Sequence, residues 1–172
     1  SQGSYCYSFE PNKKCHSHLI NTAKYNNFSN YKLIKKAVGS KKEKLFLNFN
    51  PKETWNGKVS EVTSKIKTEI SEEIKVINLD TFCLKHPSPD LIKIDTEGHE
   101  LEVLNGATNL INNFRPFIIF ESFNDEIFSF FKRNKYNILN IKNNYKHYNS
   151  KFENENNLLA CPVEKVELLQ SL

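Results

Sequence analysis

The chain has 172 residues, 38% hydrophobic and 26% charged, with thirteen Phe and seven Tyr, enough for one globular domain with its own core and no disulfide or metal staple. No apolar run approaches the roughly 18 residues of a spanning helix, and Ser1-Gln2-Gly3-Ser4 is neither a basic leader nor an apolar stretch, so no membrane span or secretory route is expected. The formal charge of +4 comes from lysines scattered singly and in pairs such as Lys35-Lys36, a solvated surface rather than the dense basic block of a nucleic-acid binder.

In chain order, Tyr5 to Phe9 alternates like a strand and stops at Glu10-Pro11, where proline cannot donate to a ladder. Lys13 to Tyr25 carries Leu19, Ile20 and Ala23 at helical spacing. Tyr31 to Gly39 is a second strand, and Leu45 to Phe49 a third, expected antiparallel and at a sheet edge. The pattern loosens from Asn50 to Glu73, with a short helix expected over Glu61 to Ile70 and Trp55 either packed in a core or lining an acceptor pocket. Ile74 to Leu79 is a strand ending on Asp80, followed by a helical piece around Phe82, Cys83 and Leu84. Leu91 to Ile94 is a short strand. Leu101, Leu104, Thr108 and Ile111 form one helix face over about three turns. Pro116 to Glu121 is a nearly continuous apolar strand, as in sheets covered on both faces. A helix over Glu126 to Asn134, a strand over Tyr136 to Ile141, a polar loop or hairpin over Lys142 to Asn157 and a last strand over Leu158 to Cys161 complete the chain. This alternation predicts an α/β fold, a mostly parallel sheet with helices on both faces, in a single domain spanning 1–172.

Cys6, Cys15, Cys83 and Cys161 are far apart and form no C-x-x-C, which suits reduced thiols and a cytoplasmic location. Cys15-His16-Ser17-His18 fits no zinc spacing, so no metal site is expected. The chain contains no methionine, and a cut at the N-terminus is the expectation.

Three strands end on acids: Glu10, Asp95 and Glu121. Open α/β sheets bind ligands beyond the carboxyl ends of their strands, so these acids are expected to face one crevice. An acid in the position of Glu10 can accept from both hydroxyls of a ribose; the alternative is a solvated acid or a turn former before Pro11. Asp95, Glu97 and Glu100 crowd the turn that follows the Leu91 strand, and Glu97 and Glu100 near a helix N-terminus are stabilised there whether or not they act. Lys93 can neutralise a neighbouring acid or form a plain ion pair.

Phe9-Glu10-Pro11-Asn12, Ala37-Val38-Gly39, Leu79-Asp80, the run Ile92-Lys93-Ile94-Asp95-Thr96-Glu97-Gly98-His99-Glu100 continuing to Ala107, Arg115 to Glu121, and Asn157 to Pro162 occur in the order seen in FkbM-type methyltransferases, which the chain resembles over nearly its whole length. The resemblance implies a Rossmann-like domain that uses S-adenosyl-L-methionine to methylate an oxygen on a small molecule, sugar or lipid-linked glycan. It implies that Glu10, with Pro11 and Asn12 beside it, binds the cofactor ribose, that Ala37 lies beside the adenine, and that Asp95 and Glu97 stand by the methyl donor and acceptor. The family opens with a strand and a D-x-G-A-N-x-G turn that are not found before Ser4, so the first strand and glycine-rich turn are expected to be missing.

The chemistry needs an aligned acceptor and removal of its proton. Asp95 is the first candidate for base or acceptor clamp. His99 is the second, because an imidazole titrates near neutral pH, although a residue at this position also reads as a cap or a solvent-facing side chain. The expected partner is a hydroxyl-bearing small molecule or glycan, not nucleic acid, and oligomeric state is left open. A ribose methyltransferase acting on RNA would carry a lysine-aspartate-lysine-glutamate tetrad and a basic groove, and neither is evident; a non-catalytic binding or remnant domain is the other alternative.

Overall fold

The computed structural model describes residues 4–121, 124–141, 146–147 and 157–170, without the side chains of 54–56, 146–147 and 170. Trp55 is therefore outside the described side chains, as is the polar loop expected from Lys142 to Asn157 apart from residues 146, 147 and 157. The chain divides into two compact units, Ser1–Ile77 and Asn78–Leu172.

In the first unit, strand β1 (Cys6–Phe9), helix α1 (Lys13–Tyr25) and strand β2 (Tyr31–Ile34) make a crossover in which the strands pair in parallel, Cys6 opposite Tyr31 and Phe9 opposite Ile34. Helix α1 starts where Asn12 caps it, its side chain accepting from the Lys14 amide, and Lys24 lies in the last turn near the carbonyl end of the dipole. The second predicted strand is broken. The Lys36 amide turns back on the Ile34 carbonyl, so that β3 (Ala37–Val38) leaves β1 behind and pairs with another sheet.

That sheet contains β4 (Glu43–Asn50), β5 (Glu53–Ser60) and β6 (Ile70–Ile77) in the order β3-β6-β4-β5. Its core is Ala37, Leu45, Leu47, Phe49, Ile74 and Val76, with Val59 packed against it. Leu45, Leu47 and Phe49 sit on alternate positions of β4 and therefore on one face. Gly57 belongs here for lack of a side chain: a Cβ would lie 3.0 Å from Leu47 Cδ1. Strand β4 is antiparallel to both neighbours, as expected, but it is interior to the sheet rather than at its edge.

The helix expected over Glu61 to Ile70 does not form. Polar side chains take the backbone groups it would need: Ser60 Oγ accepts from the Val62 amide, Asn48 donates to the Val62 carbonyl and accepts from the Ser64 amide, and Ser64 Oγ accepts from the Ile66 amide.

The second unit opens with α2 (Leu79–Cys83), β7 (Leu91–Ile94), α3 (Glu100–Asn105), α4 (Thr108–Phe114) and β8 (Phe117–Phe120). It continues through α5 (Asp125–Arg133), β9 (Tyr136–Asn140), β10 (Lys146–His147) and β11 (Leu158–Pro162), then a 3-10 turn at Val163–Lys165 and α6 (Val166–Gln170). The five strands run in the order β10-β9-β11-β8-β7. The single helix expected from Leu101 to Ile111 is split into α3 and α4 at Gly106-Ala107. On β8, Ile118 and Phe120 are buried while Phe117 and Ile119 are half-buried, so the strand covered on both faces is β11, buried throughout.

The α/β class is therefore observed, but the sheets are mixed rather than mostly parallel: of the described pairings only β1 with β2, β3 with β6 and β7 with β8 are parallel. Parallel pairing needs a crossover, and β4, β5 and β6 follow one another with no helix between them. Strand β11 runs antiparallel to both β8 and β9.

Candidate functional site

In the first unit, β1 ends at Glu10, whose amide donates to the Ile34 carbonyl and so extends the parallel ladder by one residue. Its half-buried carboxylate accepts from the Asn12 amide at 2.7 Å. Asn12, 3% exposed, thus both orients Glu10 and caps α1. Pro11 sits half-buried between them. His16, one turn into the helix, brings Nε2 to 2.9 Å from the Glu10 carbonyl oxygen, which places the ring proton on Nε2. Burial raises the Glu10 carboxyl above its ordinary range, opposed by the Asn12 hydrogen bond and the nearby His16. An acid kept from water at a strand's carboxyl end has unmet capacity for a hydroxyl donor, and that fits a ribose diol. His16 stands in the Cys15-to-His18 run set aside as a metal site, and no local spacing ties it to Glu10, which precedes the helix. Ala37 is 4% exposed and belongs to the hydrophobic core, so its methyl is committed to packing.

In the second unit, the turn after β7 is built around Glu100. This carboxylate is 2% exposed, and its Oε1 accepts from the Thr96 amide, the Thr96 hydroxyl and the Gly98 amide, each at 3.1 Å. Those bonds hold Glu97 and Gly98 in the left-handed region, at φ 53 and 101. Glu100 is consequently a structural anchor, while Asp95 and Glu97 stay exposed. His99 occupies the N-cap position of α3, but its side chain makes no cap hydrogen bond and is half-buried, so it is neither the cap nor the solvent-facing side chain of the sequence alternative.

Asp95 meets Glu121 through a lysine. Lys93 Nζ lies 3.0 Å from Asp95 Oδ2 and 3.1 Å from Glu121 Oε1. Partial burial pulls the Lys93 ammonium toward deprotonation, but the two carboxylates outweigh it and its pKa is raised. Two of the three strand-end acids are thus brought together; Glu10 stands in the first unit.

Among the described residues no three His, Cys, Asp or Glu side chains converge as a metal-ligand set. Cys6, Cys15, Cys83 and Cys161 form no disulfide, and burial pushes the Cys161 thiol up to about 11, with Glu164 adding to the shift. No helix among the described residues is long and apolar enough to cross a membrane.

The chain is similar to known proteins. The hexuronic acid methyltransferase AglP of Haloferax volcanii is 44% identical over 61 residues, which is 34% of this chain and 25% of that protein. The crystal structure of methyltransferase FkbM from Methylobacillus flagellatus superposes with a TM-score of 0.57 at 15% identity, covering 91% of this chain and 36% of that one, a likeness of fold. The chain spans a minority of the length of each. A model of the methyltransferase FkbM domain matches residues 1–152, and the chain belongs to the FkbM methyltransferase family.

Proposed function

We propose that the chain is part of an S-adenosyl-L-methionine-dependent O-methyltransferase of the cytoplasm, acting on a hydroxyl of a sugar acid or related glycan. The observation that carries this reading is the carboxyl end of β7, where Asp95 and the left-handed turn at Glu97-Gly98 are held open by a buried anchor, within a chain of a methyltransferase family. The acceptor class follows from the sugar-acid methyltransferase that the chain resembles over 61 residues. Charge agrees: residues 1–77 hold fourteen lysines and seven glutamates with no aspartate, a surplus suited to a carboxylate-bearing acceptor. The four cysteines, far apart in sequence with no C-x-x-C, suit a reducing compartment.

In this reading Glu10, oriented by Asn12 and Pro11, accepts from the ribose hydroxyls of the donor, and position 37 offers backbone beside the adenine because its methyl is buried. The cofactor supplies an activated methyl on a sulfonium. Asp95 then has two tasks: it accepts the acceptor's hydroxyl hydrogen, which fixes the oxygen in line with the methyl, and it takes the proton as the oxygen–carbon bond forms. Glu97 flanks the acceptor, and His99 is the alternative proton acceptor at neutral pH.

Calorimetric titration of S-adenosylhomocysteine into the protein, and into Glu10→Ala and Asp95→Asn variants, tests the donor half. Binding by the parent, weakened about tenfold or more in Glu10→Ala through loss of charge-assisted bonds, is expected. Absence of binding by the protein, including the longest natural form of the chain, would overturn the methyltransferase assignment. Transfer of labelled methyl to hexuronic acids but not to RNA tests the acceptor; labelling of RNA ribose alone would replace this reading with the nucleic-acid one.

A further inference from the structure

Strands β7 and β8 are parallel neighbours with Lys93 opposite Ile119 and Ile94 opposite Phe120. Side chains alternate along each strand, so Lys93 and Asp95 share one face with Ile119 and Glu121. Asp95 and Glu121 are each the first residue beyond their strand, and adjacent strands lie roughly 4.8 Å apart. Two carboxylates so placed repel each other, and each turns away from the other unless a cation stands between them. Lys93 stands between them, reaching forward from two residues back to both acids at 3.0 and 3.1 Å. The three side chains remain 47%, 47% and 35% exposed for Lys93, Asp95 and Glu121, so the cluster is open to a ligand. Exposed ion pairs of this kind contribute only about 0–1 kcal/mol to stability, which leaves the orientation of Asp95 as the main consequence of the bridge.

We propose that Lys93 is a positioning residue for methyl transfer: by tying Asp95 to Glu121 it fixes the orientation of the Asp95 carboxylate at the end of β7. This rests on the reading above that Asp95 faces the methyl donor. Without the ammonium, the two carboxylates repel, Asp95 swings away from its neighbour, and the carboxylate is no longer presented to the ligand.

The test is calorimetric binding of S-adenosylmethionine at neutral pH. The parent and Lys93→Arg, which preserves the bridging charge, are expected to bind equally well. Lys93→Met is expected to lose roughly tenfold in affinity, a loss equivalent to about 1.4 kcal/mol. Lys93→Met combined with Glu121→Gln removes the repelling neighbour and recovers most of that affinity. A Lys93→Met variant that binds as tightly as the parent overturns the positioning role and leaves the methyltransferase reading standing. A parent that does not bind the donor overturns both. Should Lys93→Met fail to fold, nitrogen-detected NMR titration of the Lys93 ammonium decides: a pKa above that of free lysine in the parent, falling in Glu121→Gln, supports the bridge, and an ordinary lysine value overturns it.

Discussion

Glu100 and Asp95 are five positions apart and look alike in sequence, yet one is buried as an anchor and the other left exposed. Helix α3 begins at Glu100, and the side chain is carried under the turn, where it meets two amides and a hydroxyl. Removing it leaves buried donors without an acceptor, so Glu100→Ala is expected to cost roughly 2–4 kcal/mol in urea unfolding, and Glu100→Gln, which keeps a carbonyl oxygen, about half as much. A loss under about 0.5 kcal/mol for Glu100→Ala would show that the turn holds without it. Gly98→Ala is expected to cost about 1–2 kcal/mol from its φ of 101 alone, since no atom lies within 4 Å of the added Cβ. Glu10 behaves in the opposite way. Its carboxyl is raised by burial, so the folded chain holds a proton that the unfolded chain releases, and stability falls as pH rises from the ordinary carboxylate value of 4.5 through the raised one. Glu10→Gln should therefore remove that fall and melt higher than the parent at neutral pH, while losing donor affinity. Thermal melts across pH read the first effect and calorimetry the second. The sequence marked all these acids; burial, which separates their roles, depends on helix register after the turn.

At the scale of elements, the break between α3 and α4 is made from far away. Leu101, Leu104, Thr108 and Ile111 keep helical period across it, which is why one continuous helix is read from sequence. Ala107, at the N-cap of α4, has no side chain to cap with. Asp80 supplies the cap instead: Oδ2 accepts from the Asn109 amide at 3.1 Å and side chain at 3.0 Å, and Oδ1 from the Leu110 amide at 2.8 Å. The Asp80 amide in turn donates to the Gly106 carbonyl, closing the junction from both sides. Loss of this cap in Asp80→Ala is expected to lower the stability of the second unit by about 1–2 kcal/mol, measured by denaturant titration, with Asp80→Asn intermediate. Equal stability of Asp80→Ala and the parent would mean that packing alone sets the break. Local signals succeeded where the cause was local: α1 has its predicted bounds because Asn12 and Asn26 flank it. They failed at residues 61–69, where Asn48 reaches in from a strand distant in sequence and Ser71 from the strand that follows.

Across the molecule, the order of strands and helices was largely legible from periodicity, whereas strand direction was not, because alternation of residue faces is the same in parallel and antiparallel ladders. The centre of polar organisation in the second unit was also hidden, since its members are distant in the chain. Arg115 ends α4 with φ 55 and sends its guanidinium to the Asn134 carbonyl at 2.7 Å, the Lys135 carbonyl at 2.9 Å and both oxygens of Glu164. It also lies over the Tyr136 ring, while Lys165 donates to its carbonyl. One residue thereby joins α4, the α5–β9 connection and the segment after β11. The Arg115 hydrogen bonds hold the Glu164 carboxyl down to about 2 from an ordinary 4.5. The folded chain thus stays ionised where the unfolded chain takes up a proton, so this stabilisation is complete above about pH 4.5 and is lost as the pH falls toward about 2. Glu164 is 49% exposed, and solvent screening limits the effect of Glu164→Gln at neutral pH to about 1 kcal/mol or less. Arg115→Met, which also abandons two carbonyls and the ring, is expected to cost about 2 kcal/mol or more. Thermal melts between about pH 2 and about pH 7 separate the two: the gap between parent and Glu164→Gln should close as the pH approaches 2, while most of the gap to Arg115→Met should remain. A Glu164→Gln gap that is independent of pH would remove the ion pair from the account and leave the carbonyl contacts as the function of Arg115.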